Sequence, residues 1–174
     1  MFLSPKLAIQ EGWVKFPSYV TEDQTEKYIQ PNALDITLDH VWATTNTPNM
    51  ISSVTEHGKT MLMWKEIAPP QFVLAPNELY DVMSDFYVEI PQGVAAMLII
   101  RSSFSRCGVR LSSGLYDAGF NGNAGFSLIN HGPGNFMTQA GTRVAQIAFV
   151  ASDSVKEYAG GWNRVKGQHW GERK

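Results

Sequence analysis

Two arginines with hydroxyls between them are the first residues whose types and spacing suggest chemistry. The stretch Arg101-Ser102-Ser103-Phe104-Ser105-Arg106-Cys107-Gly108 follows the apolar run Ala95–Ile100, so its polar side chains emerge where a buried strand ends. Guanidinium forks pair with phosphate oxygens and hydroxyls fill the remaining acceptors, so this set suits a phosphate chain. The same composition suits a solvated loop with a surface ion pair, and spacing alone does not separate the two.

A second stretch, Gly114-Leu115-Tyr116-Asp117-Ala118-Gly119-Phe120-Asn121-Gly122, places one carboxylate between apolar residues and a glycine-rich turn, with Asn130 at the end of the next strand. Asp117 has the setting of a general base on a tight hairpin. An aspartate in a turn also serves as a local backbone cap, and both readings stay open. The third stretch is Gly141-Thr142-Arg143-Val144-Ala145-Gln146-Ile147-Ala148-Phe149. Strand alternation sets Arg143, Ala145 and Ile147 on one face and Val144, Gln146 and Ala148 on the other. Gln146 then lies amid apolar neighbours and needs a hydrogen-bonding partner, from the protein or from a ligand.

The chain around these stretches has 174 residues, enough for one domain with a sizeable core. Hydrophobic residues are 44% and charged residues 17%, a composition that folds rather than staying disordered. A net charge of -2 leaves no basic excess for a nucleic-acid backbone, whereas a small anion needs only two or three placed cations. The single cysteine, Cys107, excludes an internal disulfide and the cysteine-rich zinc site of nucleobase deaminases. It sits inside the candidate phosphate stretch and is read as structural. The four histidines, His40, His57, His131 and His169, show no ligand spacing and receive no role. Neither a signal pattern nor an apolar run of membrane-spanning length is present, so a soluble, cytoplasmic protein without a membrane partner is expected.

The elements that must position the three stretches are mostly strands. Short apolar runs, Phe72–Ala75, Phe86–Ile90, Ala95–Ile100, Phe126–Ile129 and Val144–Val150, alternate with turn signals at Pro76-Asn77, Pro91-Gln92-Gly93, Asn121-Gly122, His131-Gly132-Pro133-Gly134 and Ala140-Gly141. Their Val, Ile, Phe and Tyr content fits a pleated, half-buried surface. One short helix is expected from Ser4 to Gly12, with Ser4 as N-cap and Pro5 at the first helical position. The polar stretch Thr44–Lys59 reads as a long hairpin or loop. The tail from Tyr158 to Lys174 mixes glycines with Trp162 and Trp170, too glycine-rich for a regular element and too aromatic for an idle linker.

In this order, the three stretches resemble successive motifs of the dUTPase and dCTP deaminase superfamily. Leu3-Ser4 with Glu11-Gly12 is similar to the N-terminal helix of the deaminase branch, and Ile29-Gln30-Pro31-Asn32-Ala33-Leu34-Asp35-Ile36 to its Gln-Pro-x-Ser-x-Asp-Leu strand. The Tyr158-Ala159-Gly160-Gly161-Trp162 start of the tail looks closer to deaminase and archaeal-type tails than to the Arg-Gly-x-x-Gly-Phe-Gly lid of typical dUTPases. The resemblance implies a mainly β, jelly-roll-like distorted barrel (a β-clip) with the one short N-terminal helix, assembled as a homotrimer. Residues 1–157 would form a single domain and 158–174 a tail closing over a site at the subunit boundary. The partner would be a small-molecule deoxynucleotide triphosphate, without nucleic acid.

The resemblance also implies roles. Ser102, with Arg101, Ser103 and Arg106, would hold the triphosphate; Gln146 would contact it; Asn130 and the hairpin around Asp117 would receive pyrimidine and sugar. Phe120 would lie under the deoxyribose, or serve only as core. From the tail, Tyr158 would contact the site, and Trp162 or Trp170 would either close over the base by stacking or pack on a neighbouring subunit. Deaminases of the superfamily carry a glutamate ten residues beyond the hairpin aspartate; here that position is Ser127, whose neutral hydroxyl is a poor acid-base group. The implied activity is therefore hydrolysis of dUTP to dUMP and pyrophosphate, with Asp117 activating water. Mg²⁺ would be held through phosphates and water, with Asp35 either supporting it from a distance or purely structural. The alternatives are a dCTP deaminase or bifunctional enzyme, and a non-catalytic nucleotide-binding or interaction protein on the same fold. The loop between Arg106 and Asp117 is shorter than in either branch, so base identity is the least determined feature.

Overall fold

A computed structural model describes residues 1–46, 63–153 and 156–159. The chain runs β1 (Phe2–Leu3), α1 (Pro5–Gln10), β2 (Val14–Lys15), a 3-10 helix (Glu22–Tyr28), β3 (Leu34–Leu38), β4 (His40–Thr44), β5 (Trp64–Glu66), β6 (Gln71–Leu74), β7 (Leu79–Glu89), β8 (Val94–Ile100), α2 (Ser102–Arg106), β9 (Val109–Ser112), β10 (Asn121–Asn130), β11 (Phe136–Gln139) and β12 (Thr142–Ala151). The expected N-terminal helix is present: the Ser4 hydroxyl accepts from the Lys6 amide at 3.2 Å, and Gly12 ends it at φ +73°.

Three corrections to the sequence reading concern elements. The helix at the N-terminus is joined by the 3-10 helix and by α2, which occupies the stretch read as a loop after Ile100. Asn121-Gly122, read as a turn, opens the ten-residue strand β10 instead. Antiparallel pairing with β7 along most of its length outweighs the local turn preference. Strands β4, β9 and β11 lie in segments given no element from the sequence. The stretch Thr44–Lys59 falls largely outside the described residues, but its flanks pair as hairpin arms, Thr44 opposite Trp64.

Every strand pair is antiparallel. One sheet joins β1 and β3 to one edge of β12 and β8 to the other; a second runs β5-β4-β7-β10-β9 with β2 beside β7; β6 and β11 form a two-stranded ribbon. The two larger sheets pack into a jelly-roll-like distorted barrel. Along β7 the side chains Tyr80, Val82, Phe86 and Val88 point inward, and Phe126 and Leu128 of β10 meet them in one core with Leu34, Ile36, Ile147 and Phe149. Phe72, Phe86 and Phe149 are fully buried, each contributing about 2–3 kcal/mol from burial.

A buried carboxylate marks the break between β3 and β4. Asp39 accepts from the Tyr19 hydroxyl at 2.5 Å, the Thr37 hydroxyl at 2.6 Å, the Ser84 hydroxyl at 3.2 Å and the Asp85 amide at 2.8 Å. Four donors offset its desolvation without a cation. Burial, reinforced by Asp39, pushes the Tyr19 hydroxyl far above its ordinary range, so it stays a donor.

Candidate active site

The Asp117 turn is held from three sides. Tyr116 pairs with Ala96 of β8 through two backbone bonds, 2.8 and 2.9 Å. The Gly119 amide donates to the Ile90 carbonyl at 2.7 Å and the Ile90 amide to the Phe120 carbonyl at 2.8 Å, fastening the turn to the end of β7. The buried Tyr116 hydroxyl donates to the Gly125 carbonyl at 2.6 Å and accepts the Gly125 amide at 3.0 Å, where β10 carries an irregularity between Asn123 and Gly125. Gly119 sits at φ +87°, and a Cβ there would meet Glu157 and Tyr158 at 3.0 and 3.1 Å. Glycine is therefore required twice over, by conformation and by the approach of the tail. With Tyr116 and Ala118 buried on either side, the Asp117 carboxylate projects to the surface.

Phe120 is 9% exposed and packs edge-on to Tyr116 at 4.8 Å and against Tyr158 at 5.8 Å. It also lines a cleft of about 400 Å³ with Trp13, Ile90, Pro91 and Asn121. Tyr158 is tied to the turn by its amide, which donates to the Ala118 carbonyl at 2.7 Å. The tail therefore begins on the Asp117 hairpin. Trp162 and Trp170 lie outside the described residues.

The phosphate-type stretch forms α2 at the far end of β8. Phe104 anchors it in the core against Phe136 at 5.2 Å, while Ser102, Ser103 and Arg106 are exposed. Their side chains have no hydrogen-bond partner among the described residues. Beside α2 lies a charged cluster. Asp35, fully buried on β3, faces Arg143 Nη1 at 3.2 Å and Arg101 Nε at 3.5 Å, accepts from Gln146 Nε2 at 2.9 Å and from Gln30 Nε2 at 3.4 Å. Two guanidiniums against one carboxylate leave an excess positive charge at this end of the barrel.

Four sequence expectations change here. Arg143 and Gln146 both reach Asp35, although strict alternation puts them on opposite faces; a bulge between Arg143 and Ala145 shifts the parity of β12. Of the two settings expected for Asp35, the structure shows it fully buried among its own partners rather than facing open space. Asn130 is also fully buried: its amide donates to the Leu74 and Gly134 carbonyls at 2.8 and 2.9 Å and its oxygen accepts the Gly132 amide at 2.8 Å. It holds the β10–β11 turn and has no donor left for a ligand. Finally, His40 has a structural setting that its lone position concealed, bridging Glu66 and Asp85 at 3.1 Å each.

The structure brings Arg101, Gln146 and α2 together, and Asp117, Phe120 and Tyr158 together, but keeps the two groups apart. Tyr116 pairs with Ala96, five residues before Arg101, so the Asp117 turn and α2 stand roughly 16 Å apart along β8. Residues missed from the sequence are Arg110 and Asp81, and Arg143 is placed there only as a strand residue. Arg110 Nη1 donates to the Ser105 carbonyl and hydroxyl at 2.6 and 2.8 Å, and Asp81 accepts from Ser127 at 3.4 Å across the β7–β10 pair. Only pairing register reveals these neighbours, since each lies on a strand remote in sequence or on one unassigned beforehand.

Residues 15–152 match the family model described as dCTP deaminase-like. A probable deoxyuridine 5'-triphosphate nucleotidohydrolase of Methanothermobacter thermautotrophicus is 27% identical over 137 residues, covering 79% of this chain and 89% of the relative. A dCTP deaminase of Pyrobaculum calidifontis is 19% identical over 139 residues, covering 80% of this chain and 79% of the relative. Among solved structures, the 2'-deoxycytidine 5'-triphosphate deaminase of Agrobacterium tumefaciens superposes with a TM-score of 0.64 at 17% identity over 87% of this chain. This chain spans 48% of that protein's length, and the likeness concerns the fold.

Proposed function

The chain belongs to the dCTP deaminase-like family, and from that premise we propose that it hydrolyses dUTP to dUMP and pyrophosphate. The observation that carries the reading is an exposed carboxylate, Asp117 on a rigid turn, and, at the other end of β8, an exposed set of hydroxyls and a guanidinium on α2. In this reaction water attacks the α-phosphorus, the bond to the bridging oxygen breaks, and pyrophosphate leaves. Asp117 orients the water and takes its proton. Ser102, Ser103 and Arg106 hold the triphosphate, with Arg101 and Gln146 at its edge, set in place by Asp35. Phe120 lines the sugar end, where a flat ring excludes a ribose hydroxyl. The name of the archaeal relative supports hydrolysis.

Mg²⁺ belongs to this reading as a companion of the nucleotide. Among the described residues no group of three ligating side chains could hold a metal, and the buried Asp35 is occupied by its own partners. Hydroxyls and guanidiniums fit phosphate oxygens, and Mg²⁺ binds well through phosphates and water. When bound it would neutralise charge on the leaving pyrophosphate.

The separation of Asp117 from α2 within one chain supports a homotrimer in which the hairpin of one copy faces α2 of the next. Tyr158 is docked at the hairpin, so the stretch expected to form a tail over 158–174 starts beside the Asp117 turn. A soluble nucleotide substrate is compatible with the cytoplasmic location that belongs to this reading, and none of the described helices is long and apolar enough to cross a membrane.

Deamination of dCTP is a second reading with one observation in its favour. Ser127 stands where deaminases of the superfamily carry their glutamate, and Asp81 is its cross-strand neighbour, 3.4 Å from its hydroxyl. Incubating the protein with Mg²⁺ and dUTP, dCTP, dTTP or UTP, and separating the products, distinguishes the readings. The proposal requires dUMP from dUTP alone, abolished in Asp117→Asn with binding retained. Ammonia from dCTP would replace it with deamination, and binding without turnover would replace it with a non-catalytic role.

A further inference from the structure

A five-residue helix does not hold itself, because one turn and a fraction cannot offset the cost of nucleation. Three contacts fix α2. Phe104 is buried against Phe136, and Gly108 passes so near Gly132 that a Cβ would lie 2.6 Å from its backbone. The third contact is Arg110 on β9. Its Nη1 donates to the Ser105 carbonyl at 2.6 Å and to the Ser105 hydroxyl at 2.8 Å. Ser105 immediately precedes Arg106 and sits in the last turn of α2, where its carbonyl accepts both the Gly108 amide at 3.1 Å and the Arg110 guanidinium.

We propose that Arg110 is a positioning residue for triphosphate binding: from the adjacent strand it locks the last turn of α2 and so sets the Arg106 guanidinium toward the phosphates. The inference rests on the nucleotide reading given above. Phe104 fixes the buried side of the helix and backbone bonds hold its two ends, Arg101 N–H to the Val144 carbonyl at 2.9 Å and His131 N–H to the Gly108 carbonyl at 3.0 Å, whereas Arg110 grips the exposed side, one residue from Arg106. A single guanidinium nitrogen reaching both oxygens of one serine fixes that exposed side, which a lysine ammonium, a mobile point charge, would do less well. The Arg110 backbone is itself held in register opposite Ile129 of β10. Its charge also adds to those of Arg101 and Arg106 around α2, so an anion relieves a local excess of cations.

The test compares Arg110→Gln and Arg110→Lys with the wild type in binding three probes: inorganic tripolyphosphate, an α,β-imido analogue of dUTP, and deoxyuridine. Arg110→Gln is expected to weaken both triphosphates about tenfold, the loss of one charge-assisted contact, while deoxyuridine affinity changes less than twofold. KM for dUTP should rise with kcat little altered, and Arg110→Lys should fall between. A purely structural role would loosen all three probes together, and that result, or unchanged triphosphate affinity, overturns the inference. If Arg110→Gln does not fold, the lysine variant carries the same comparison. Failure of the nucleotide reading is told apart by the wild type, which would then bind neither triphosphate, and it takes this inference with it.

Discussion

Asp35 shows how one buried charge organises several functional side chains. It holds Arg101, Arg143 and Gln146 at once, so Asp35→Ala leaves the two part-buried guanidiniums with only their carbonyl acceptors, Arg143 and Lys27, and the Gln146 amide without its carboxylate. The expected cost is about 3–5 kcal/mol in urea unfolding, the range for breaking a buried ion pair from one side. Asp35→Asn keeps an acceptor for Gln146 but loses the charge, and should destabilise less while still raising KM for the triphosphate. Asn130 teaches a related point. Its amide is consumed by three backbone groups, and Asn130→Ala should lower stability by about 1–3 kcal/mol in the same unfolding measurement, through unsatisfied carbonyls at Leu74 and Gly134. Its place beside the hairpin motif was legible in the sequence; its orientation was not, because burial depends on what packs above it.

At the scale of elements, α2 and the β4–β5 hairpin are each held by a few identifiable contacts. Gly108 adopts φ +89° and lies against the Gly132 backbone, so Gly108→Ala should cost about 1–3 kcal/mol and displace α2, raising KM for dUTP. His40 joins β4 to β5 through Glu66 and to β7 through Asp85. Ionised carboxylates only accept, so the ring donates from both nitrogens and is charged. The Asp85 bond, with a smaller contribution from Glu66, raises its pKa from 6.5 to about 9 against the opposing effect of burial. Because the folded value exceeds the unfolded one, this contribution is fully present below pH 6.5 and is lost as pH rises through 9. Thermal unfolding of the wild type should therefore show a downward slope of Tm over that interval, and His40→Gln should flatten it.

For the whole molecule the question is how two separated half-sites meet. Asp117 and α2 lie at different ends of β8, whereas the proposed reaction would need the water on Asp117 and the triphosphate on α2 to meet at one phosphorus. If one copy supplies the hairpin and another supplies α2, Asp117→Asn and Arg106→Gln are each inactive alone, yet subunits mixed by denaturation and refolding recover part of the turnover. No recovery on mixing, with both variants folded, would mean that the site is built within one chain. Sedimentation of the active protein should show three copies.

The sequence by itself determined the β class, the N-terminal helix and the three stretches that carry polar chemistry, because these depend on local composition: apolar runs between turn residues, Ser4-Pro5 at a helix start, arginines and hydroxyls after a strand. The resemblance that ordered these stretches also pointed to the family. Only the tertiary structure decided which of those side chains are free. Pairing register with β3 and a bulge in β12 turned Arg143 and Gln146 onto Asp35, the packing around β10 buried Asn130, and the Tyr116–Ala96 bridge set Asp117 away from α2. Strand register and bulges are fixed by long-range pairing, and a one-residue shift reverses every face, so no local pattern encodes them.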